Sequence, residues 1–136
     1  MNDRGPNLLT KTLAFGVVME VATGLALIFR PEIVIKLLLG VEASGMEMVI
    51  ARCFGIGLFG LVFACWPDTQ KSVSSTAAFR GMLIYNALIA AYLAYLGIAG
   101  HLGVVLLWPA VAAHAAMTGL LVRSMRLDPP VPEMEE

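Results

Sequence analysis

Four polar residues stand inside otherwise apolar stretches of the sequence: Glu20, Arg52, Asn86 and His114. A carboxylate and an imidazole can exchange protons, a guanidinium can neutralise a carboxylate, and an amide can both donate and accept hydrogen bonds. Charged side chains at membrane depth are expensive and usually face other protein groups. We therefore expect a Glu20–Arg52 ion pair, with Asn86 and His114 as its hydrogen-bond partners.

The composition places these residues in a membrane. Of the 136 residues, 59% are apolar and 14% are charged, and the mean hydropathy is +0.82. A typical soluble domain has about 25% charged residues, and a small one needs them to cover its surface. The composition excludes an ordinary soluble domain and a disordered chain. The net charge of −1 argues against a nucleic-acid partner.

Four apolar segments predict the fold. They run from about residue 8 to 29, 47 to 66, 77 to 97 and 101 to 122, and each can cross a hydrocarbon core of about 30 Å as a helix. Pro31, Glu32 and Gly40 bound a shorter apolar segment, which predicts a short interfacial helix between the first two spans. The prediction is an all-α transmembrane four-helix bundle over residues 1–127, followed by a disordered acidic, proline-containing tail at 128–136. Pro109 should kink the fourth helix.

The distribution of basic residues predicts the orientation. Lys and Arg are more frequent on the cytoplasmic side of membrane proteins. One face carries six of them and the other carries two, namely Arg4, Lys11, Lys71, Arg80, Arg123 and Arg126 against Arg30 and Lys36. We expect a multi-pass membrane protein with both termini in the cytoplasm.

The four polar residues have comparable depths. Counted from the non-cytoplasmic face at about 1.5 Å per residue, Glu20 lies about 13 Å deep, Arg52 about 8 Å, Asn86 about 16 Å and His114 about 20 Å. They therefore form one predicted polar centre. Its secondary members, each on a predicted span, are Thr23, Tyr85, Tyr92 and Thr118.

Small residues four apart predict close helix packing. The sequence contains three such pairs, which are Ala51 and Gly55, Gly60 and Ala64, and Ala115 and Gly119. They could pack within one chain or between copies, so a homo-oligomer or a membrane-protein partner is open.

Several chemistries find no support. No serine accompanies His114 at core depth, so no catalytic set is identified and an enzyme is not expected. His101 and His114 are thirteen residues apart on one predicted helix and cannot share a metal ion, and no metal site or cofactor is implied. Two interpretations of the polar centre remain. In the first, the centre is purely structural and holds the helices together. In the second, it binds a small ligand, a proton or a lipid-like headgroup.

The first functional hypothesis is a small integral membrane protein, surrounded by lipid, that binds a quinone or another small amphipathic molecule or serves as an accessory subunit of a membrane complex. The alternative is a proton-coupled small-molecule transporter in which Glu20 or His114 titrates. The stretch Met19-Glu20-Val21 is similar to small multidrug exporters, whose first helix carries a membrane glutamate, although Arg52 would compete for that carboxylate.

The first half of the chain also resembles a known family. The stretch 24–31 ends in Arg30-Pro31, a short segment closes on Leu39-Gly40, and the glycine-rich stretch 51–61 follows. This order resembles the DoxX-like group of small four-helix bacterial membrane proteins. The resemblance implies a bacterial inner-membrane location. It adds a third alternative, a quinone-linked redox membrane protein, and carries over no site residue.

Overall fold

The residues that the structure describes fold into five α-helices. A computed structural model describes residues 8–66, 76–101 and 104–127. The helices are α1 (Leu8–Phe29), α2 (Pro31–Leu39), α3 (Met46–Ala64), α4 (Thr76–Ala99) and α5 (Leu107–Leu127), and these ranges contain no strand. The prediction of an all-α fold is confirmed for this part of the chain. The predicted tail at 128–136 lies outside the described residues.

Three of these helices are long and apolar enough to cross a membrane. Within the described ranges they are Thr10–Phe29, Met46–Ala64 and Ala78–Ala99. Large apolar side chains point outward from them, and Phe29 and Phe63 are 71% and 75% exposed. Water solvates such a surface poorly and hydrocarbon solvates it well, so the helices are compatible with a small membrane protein.

The fourth predicted span, 101–122, differs from the structure. The helix begins only at Leu107, because residues 104–106 form a turn and the backbone N–H of Leu106 donates to the Leu37 carbonyl at 3.0 Å. The apolar residues of this turn had extended the predicted span. The helix that remains, α5, includes Arg123 and is not among the three described helices that meet the length and hydropathy of a span.

The predicted kink at Pro109 is wrong for the same reason. Pro109 lies in the first turn of α5, since the helix begins at Leu107. The first backbone N–H groups of a helix have no intrahelical acceptor, so a residue without an N–H costs nothing there. The proline therefore fits within the first turn and does not interrupt the helix.

The short predicted helix is confirmed as α2. Pro31 stands at its start and Glu32 in its first turn. Gly40 ends it in the left-handed conformation with φ 75°, and its N–H donates to the Lys36 carbonyl at 3.0 Å. A Cβ on Gly40 would also lie 2.6 Å from Cγ1 of Val104, so both the backbone conformation and the space favour glycine.

The long helices pack chiefly as two pairs, α1 with α3 and α4 with α5, and α1 and α5 join the pairs. Gly24 of α1 contacts Gly55 of α3, and the Ile28 carbonyl of α1 accepts from Arg52, so α1 and α3 are antiparallel. Of the three small-residue pairs, Ala51 and Gly55 are buried at this crossing. The other two pairs, Gly60 with Ala64 and Ala115 with Gly119, are exposed and make no close packing within the described chain.

Two apolar clusters form the core. The large cluster contains Leu13, Val17, Val62, Cys65, Phe79, Met82, Met117 and Leu121, and the small cluster contains Leu27, Ala51 and Leu58. Val34 and Ile35 of α2 pack on the small cluster, so α2 folds back onto the longer helices. Tyr85 packs against both clusters. The region around Tyr85 therefore joins the two clusters, and the buried Glu20 and Asn86 lie beside it.

Candidate functional site

Glu20 is buried in α1, and among the described residues it has one hydrogen-bond partner. Its residue exposure is 4%, and Oε2 accepts a hydrogen bond from the Tyr85 hydroxyl of α4 at 3.1 Å. The two ion pairs found in the described residues, Arg30 with Glu32 and Lys36 with Glu42, do not involve it. Burial of a carboxylate usually requires a cation, a metal or protonation. The described neighbours of Glu20 supply no cation, so its charge can be neutralised by a proton or by a cation from outside this set of residues.

The second half of the site joins α4 to α5. Nδ1 of His114 lies 2.8 Å from Oδ1 of Asn86, and Nδ2 of Asn86 donates to the Met82 carbonyl at 2.9 Å. Because Oδ1 can only accept, Nδ1 must carry the proton and donate. In the neutral imidazole the other nitrogen, Nε2, is then an acceptor. The hydroxyl of Thr118 donates to the His114 carbonyl at 2.8 Å and so lies on the same helix face.

Tyr85 connects the two halves. Its hydroxyl bonds Glu20, and its ring meets the His114 ring edge to face, with 5.9 Å between the centroids. Adjacent helical residues point about 100° apart. Tyr85 can therefore reach Glu20 on α1 while Asn86 bonds His114 on α5. The result is a continuous polar centre of Glu20, Tyr85, Asn86 and His114, built from three helices.

The predicted Glu20–Arg52 pair is wrong. Arg52 is exposed, and its Nε donates to the Ile28 carbonyl at 3.2 Å. Ile28 is one of the last residues of α1, where carbonyls lack intrahelical donors and the helix dipole is negative. Glu20 lies eight residues before Ile28, about 12 Å along the axis. The end of α1 is therefore the nearer and better acceptor for the guanidinium.

The predicted secondary residues divide in the same way. Tyr85 belongs to the centre itself, and Thr118 borders it through the His114 carbonyl. Thr23 is exposed and donates to the Met19 carbonyl of its own helix at 3.0 Å, while Tyr92 is 59% exposed. Thr23 and Tyr92 therefore lie outside the centre. Sequence reasoning ranked Tyr85 too low because it assumed that one polar residue per helix would face inward.

The chemistry of the centre is that of hydrogen bonding and proton exchange. A carboxylate has about four acceptor sites, and Glu20 uses one of them for Tyr85. The described residues contain no group of three or more His, Cys, Asp or Glu side chains placed to hold a metal ion. The arrangement can bind a polar or charged headgroup or move a proton between a carboxylate, a hydroxyl and an imidazole.

Comparison with protein-family models, curated proteins and solved structures gave no match. The resemblance to the DoxX-like group therefore stays a prediction, and the function must be inferred from the fold and the polar centre themselves.

Proposed function

We propose that this chain is a small integral membrane protein whose polar centre binds a small amphipathic ligand. The supporting observation is the Glu20 carboxylate, which is buried among apolar helices with a tyrosine hydroxyl and no described cation. A group that only joined helices would be expected to have its charge cancelled or to be replaced by a neutral amide, since a membrane interior makes an unpaired charge costly. A bound headgroup or proton would neutralise it.

The proposal includes a location in the bacterial inner membrane with both termini in the cytoplasm. The bacterial assignment rests on the resemblance to the DoxX-like group. The orientation rests on the distribution of Lys and Arg. Because Arg52 bonds the end of α1, it adds one basic residue to the face that carries Arg30 and Lys36. The opposite face still carries more Lys and Arg residues. The test fuses a reporter enzyme that is active only in the periplasm to either terminus. We expect both fusions to be inactive, and an active fusion would contradict this orientation.

Native mass spectrometry tests the ligand. The full chain, released from membranes with mild detergent, is expected to retain a small molecule, and Glu20→Gln is expected to lose most of it. Glu47→Gln is the matched control, because Glu47 is an exposed carboxylate in the first turn of α3. Wild-type protein that is free of any ligand and a Glu20→Gln variant with unchanged stability would together refute the proposal.

A second candidate is a proton-coupled transporter, and the contact of Glu20 with Tyr85 beside His114 favours it. A proton is the smallest ligand that can neutralise the carboxylate. Addition of a transported compound to protein in weakly buffered detergent should then release close to one proton per chain, and Glu20→Gln should release none. Ligand binding without proton release would be consistent with the proposed ligand-binding protein and would exclude the proton-coupled transporter.

A further inference from the structure

The polar centre has used its reachable hydrogen-bond donors. The Tyr85 hydroxyl donates to Glu20, Nδ1–H of His114 donates to Asn86, and the Thr118 hydroxyl donates to the His114 carbonyl. The Asn86 amide donates to the Met82 carbonyl and is 2% exposed, so it is closed to a ligand. A ligand that enters the centre meets few free N–H or O–H groups.

The positions left open are acceptors. Oε2 of Glu20 is bonded to Tyr85, and no described side chain donates to the other oxygen, Oε1. Nε2 of His114 is likewise without a described partner, because the bonds of His114 involve Nδ1 and its carbonyl. In the described residues, every side-chain N or O atom that is inaccessible to solvent has a hydrogen-bond partner. Oε1 and Nε2 therefore both border accessible space, and both residues lie against Tyr85.

We propose that the ligand of this centre carries a primary or secondary ammonium headgroup on an apolar tail, which donates to the Glu20 carboxylate with His114 Nε2 as the second acceptor. This inference rests on the proposed function and names its ligand class. The positive charge neutralises Glu20, and the N–H groups satisfy oxygens and a nitrogen that have only lone pairs to offer. The tail matches the exposed apolar surfaces of the helices.

The same acceptors disfavour the other amphipathic molecules. A fatty-acid carboxylate or an oxidised quinone presents only acceptors, so its headgroup would face lone pairs of the same kind. A quaternary ammonium brings the charge without an N–H, and an alcohol brings one donor without the charge. These differences allow a comparison in which tail length is held constant and only the headgroup changes.

The test measures binding of four ten-carbon probes to the full chain in lipid nanodiscs: decylamine, decyltrimethylammonium, decanol and decanoate. Empty nanodiscs provide the correction for partition into lipid. Decylamine is expected to bind at least tenfold more tightly than each of the other three. Glu20→Gln should weaken decylamine at least tenfold, and the control Glu47→Gln should leave its affinity within twofold.

Each outcome decides between the two levels of the inference. Equal affinity for decylamine and decyltrimethylammonium would overturn the requirement for donors. Binding of decanoate but not decylamine would overturn the ligand class while the binding function survives. The absence of binding for all four probes, together with ligand-free protein in native mass spectrometry, would overturn the proposed function itself. The probe series on the wild-type chain decides these cases without any variant, so a misfolded Glu20→Gln does not prevent the test.

Discussion

Replacement of Gly55 by alanine tests the packing that places Glu20. A Cβ built on Gly55 would lie 2.9 Å from the Gly24 carbonyl oxygen and 3.0 Å from both Leu27 Cβ and Ile28 Cγ1. The carbonyl belongs to the backbone of α1 and cannot rotate away, so the two helices must separate. Overpacking of this kind costs about 1–3 kcal/mol. Alanine also favours a helix over glycine by about 1 kcal/mol, which offsets part of that cost.

Gly57→Ala is the matched control for this variant. Gly57 lies on the same helix, is exposed, and has no atom within 4 Å of its built Cβ. Both variants gain the same helix propensity, so the difference between their free energies of unfolding isolates the steric cost, about 1–3 kcal/mol. We expect Gly55→Ala to be the less stable by that amount when both are unfolded with sodium dodecyl sulfate and followed by circular dichroism. The reasoning is refuted if Gly55→Ala is as stable as Gly57→Ala, because α1 and α3 would then not meet at Gly24 and Gly55.

Three further predictions concern charge and protonation. The effects of Glu20→Gln and Arg52→Gln on the free energy of unfolding should add within about 0.5 kcal/mol. A coupling energy well above that value in a double-mutant cycle would show that the two side chains do form an ion pair. Nitrogen-15 NMR of His114 should show a protonated Nδ1 and a bare Nε2, and the opposite tautomer would contradict its bond to the Asn86 oxygen. The Glu42 carboxylate, 2.6 Å away, raises the pKa of Lys36 above its ordinary value, so the stabilisation from this pair is present below the unfolded-state pKa and is lost as the pH rises through the folded-state value. Glu42→Gln should return the pKa of Lys36 to its ordinary value in an NMR titration, and added salt should shrink the difference because both groups are exposed.

The helix ends were predicted best where a proline or a glycine marks them. Pro31 and Gly40 bound α2 because one suits a helix start and the other a left-handed end, and both roles are local. The start of α5 could not be predicted, because residues 104–106 are as apolar as the helix that follows them. Their turn depends on a hydrogen bond to Leu37, which is distant in the sequence. Hydropathy reports how apolar a segment is and does not report where its backbone bonds go.

The candidate site shows the same division between local and distant information. Depth along the helices identified Glu20, Asn86 and His114, because it needs only a residue count from the end of each span. Depth does not tell which neighbour a residue faces. Tyr85 faces α1 and Asn86 bonds α5 because α4 contacts both helices, which is a fact of the packing. The partner of Glu20, like the start of α5, therefore required the structure.

The observed position of Arg52, away from Glu20, changes what the buried Glu20 carboxylate implies. With Arg52 beside Glu20, the two charges would cancel and the centre would need nothing further to be stable. In the structure the exposed Arg52 instead donates to the Ile28 carbonyl at the end of α1, where a guanidinium gains from the negative end of the helix dipole. Glu20 is left with a tyrosine, which can donate one hydrogen bond and cannot remove the charge. In an apolar medium that charge must be balanced by something that enters, whether a proton or a cationic headgroup. The Gln variant at this position needs neither, and so the loss of a bound ligand from Glu20→Gln separates a site that binds from one that only joins helices.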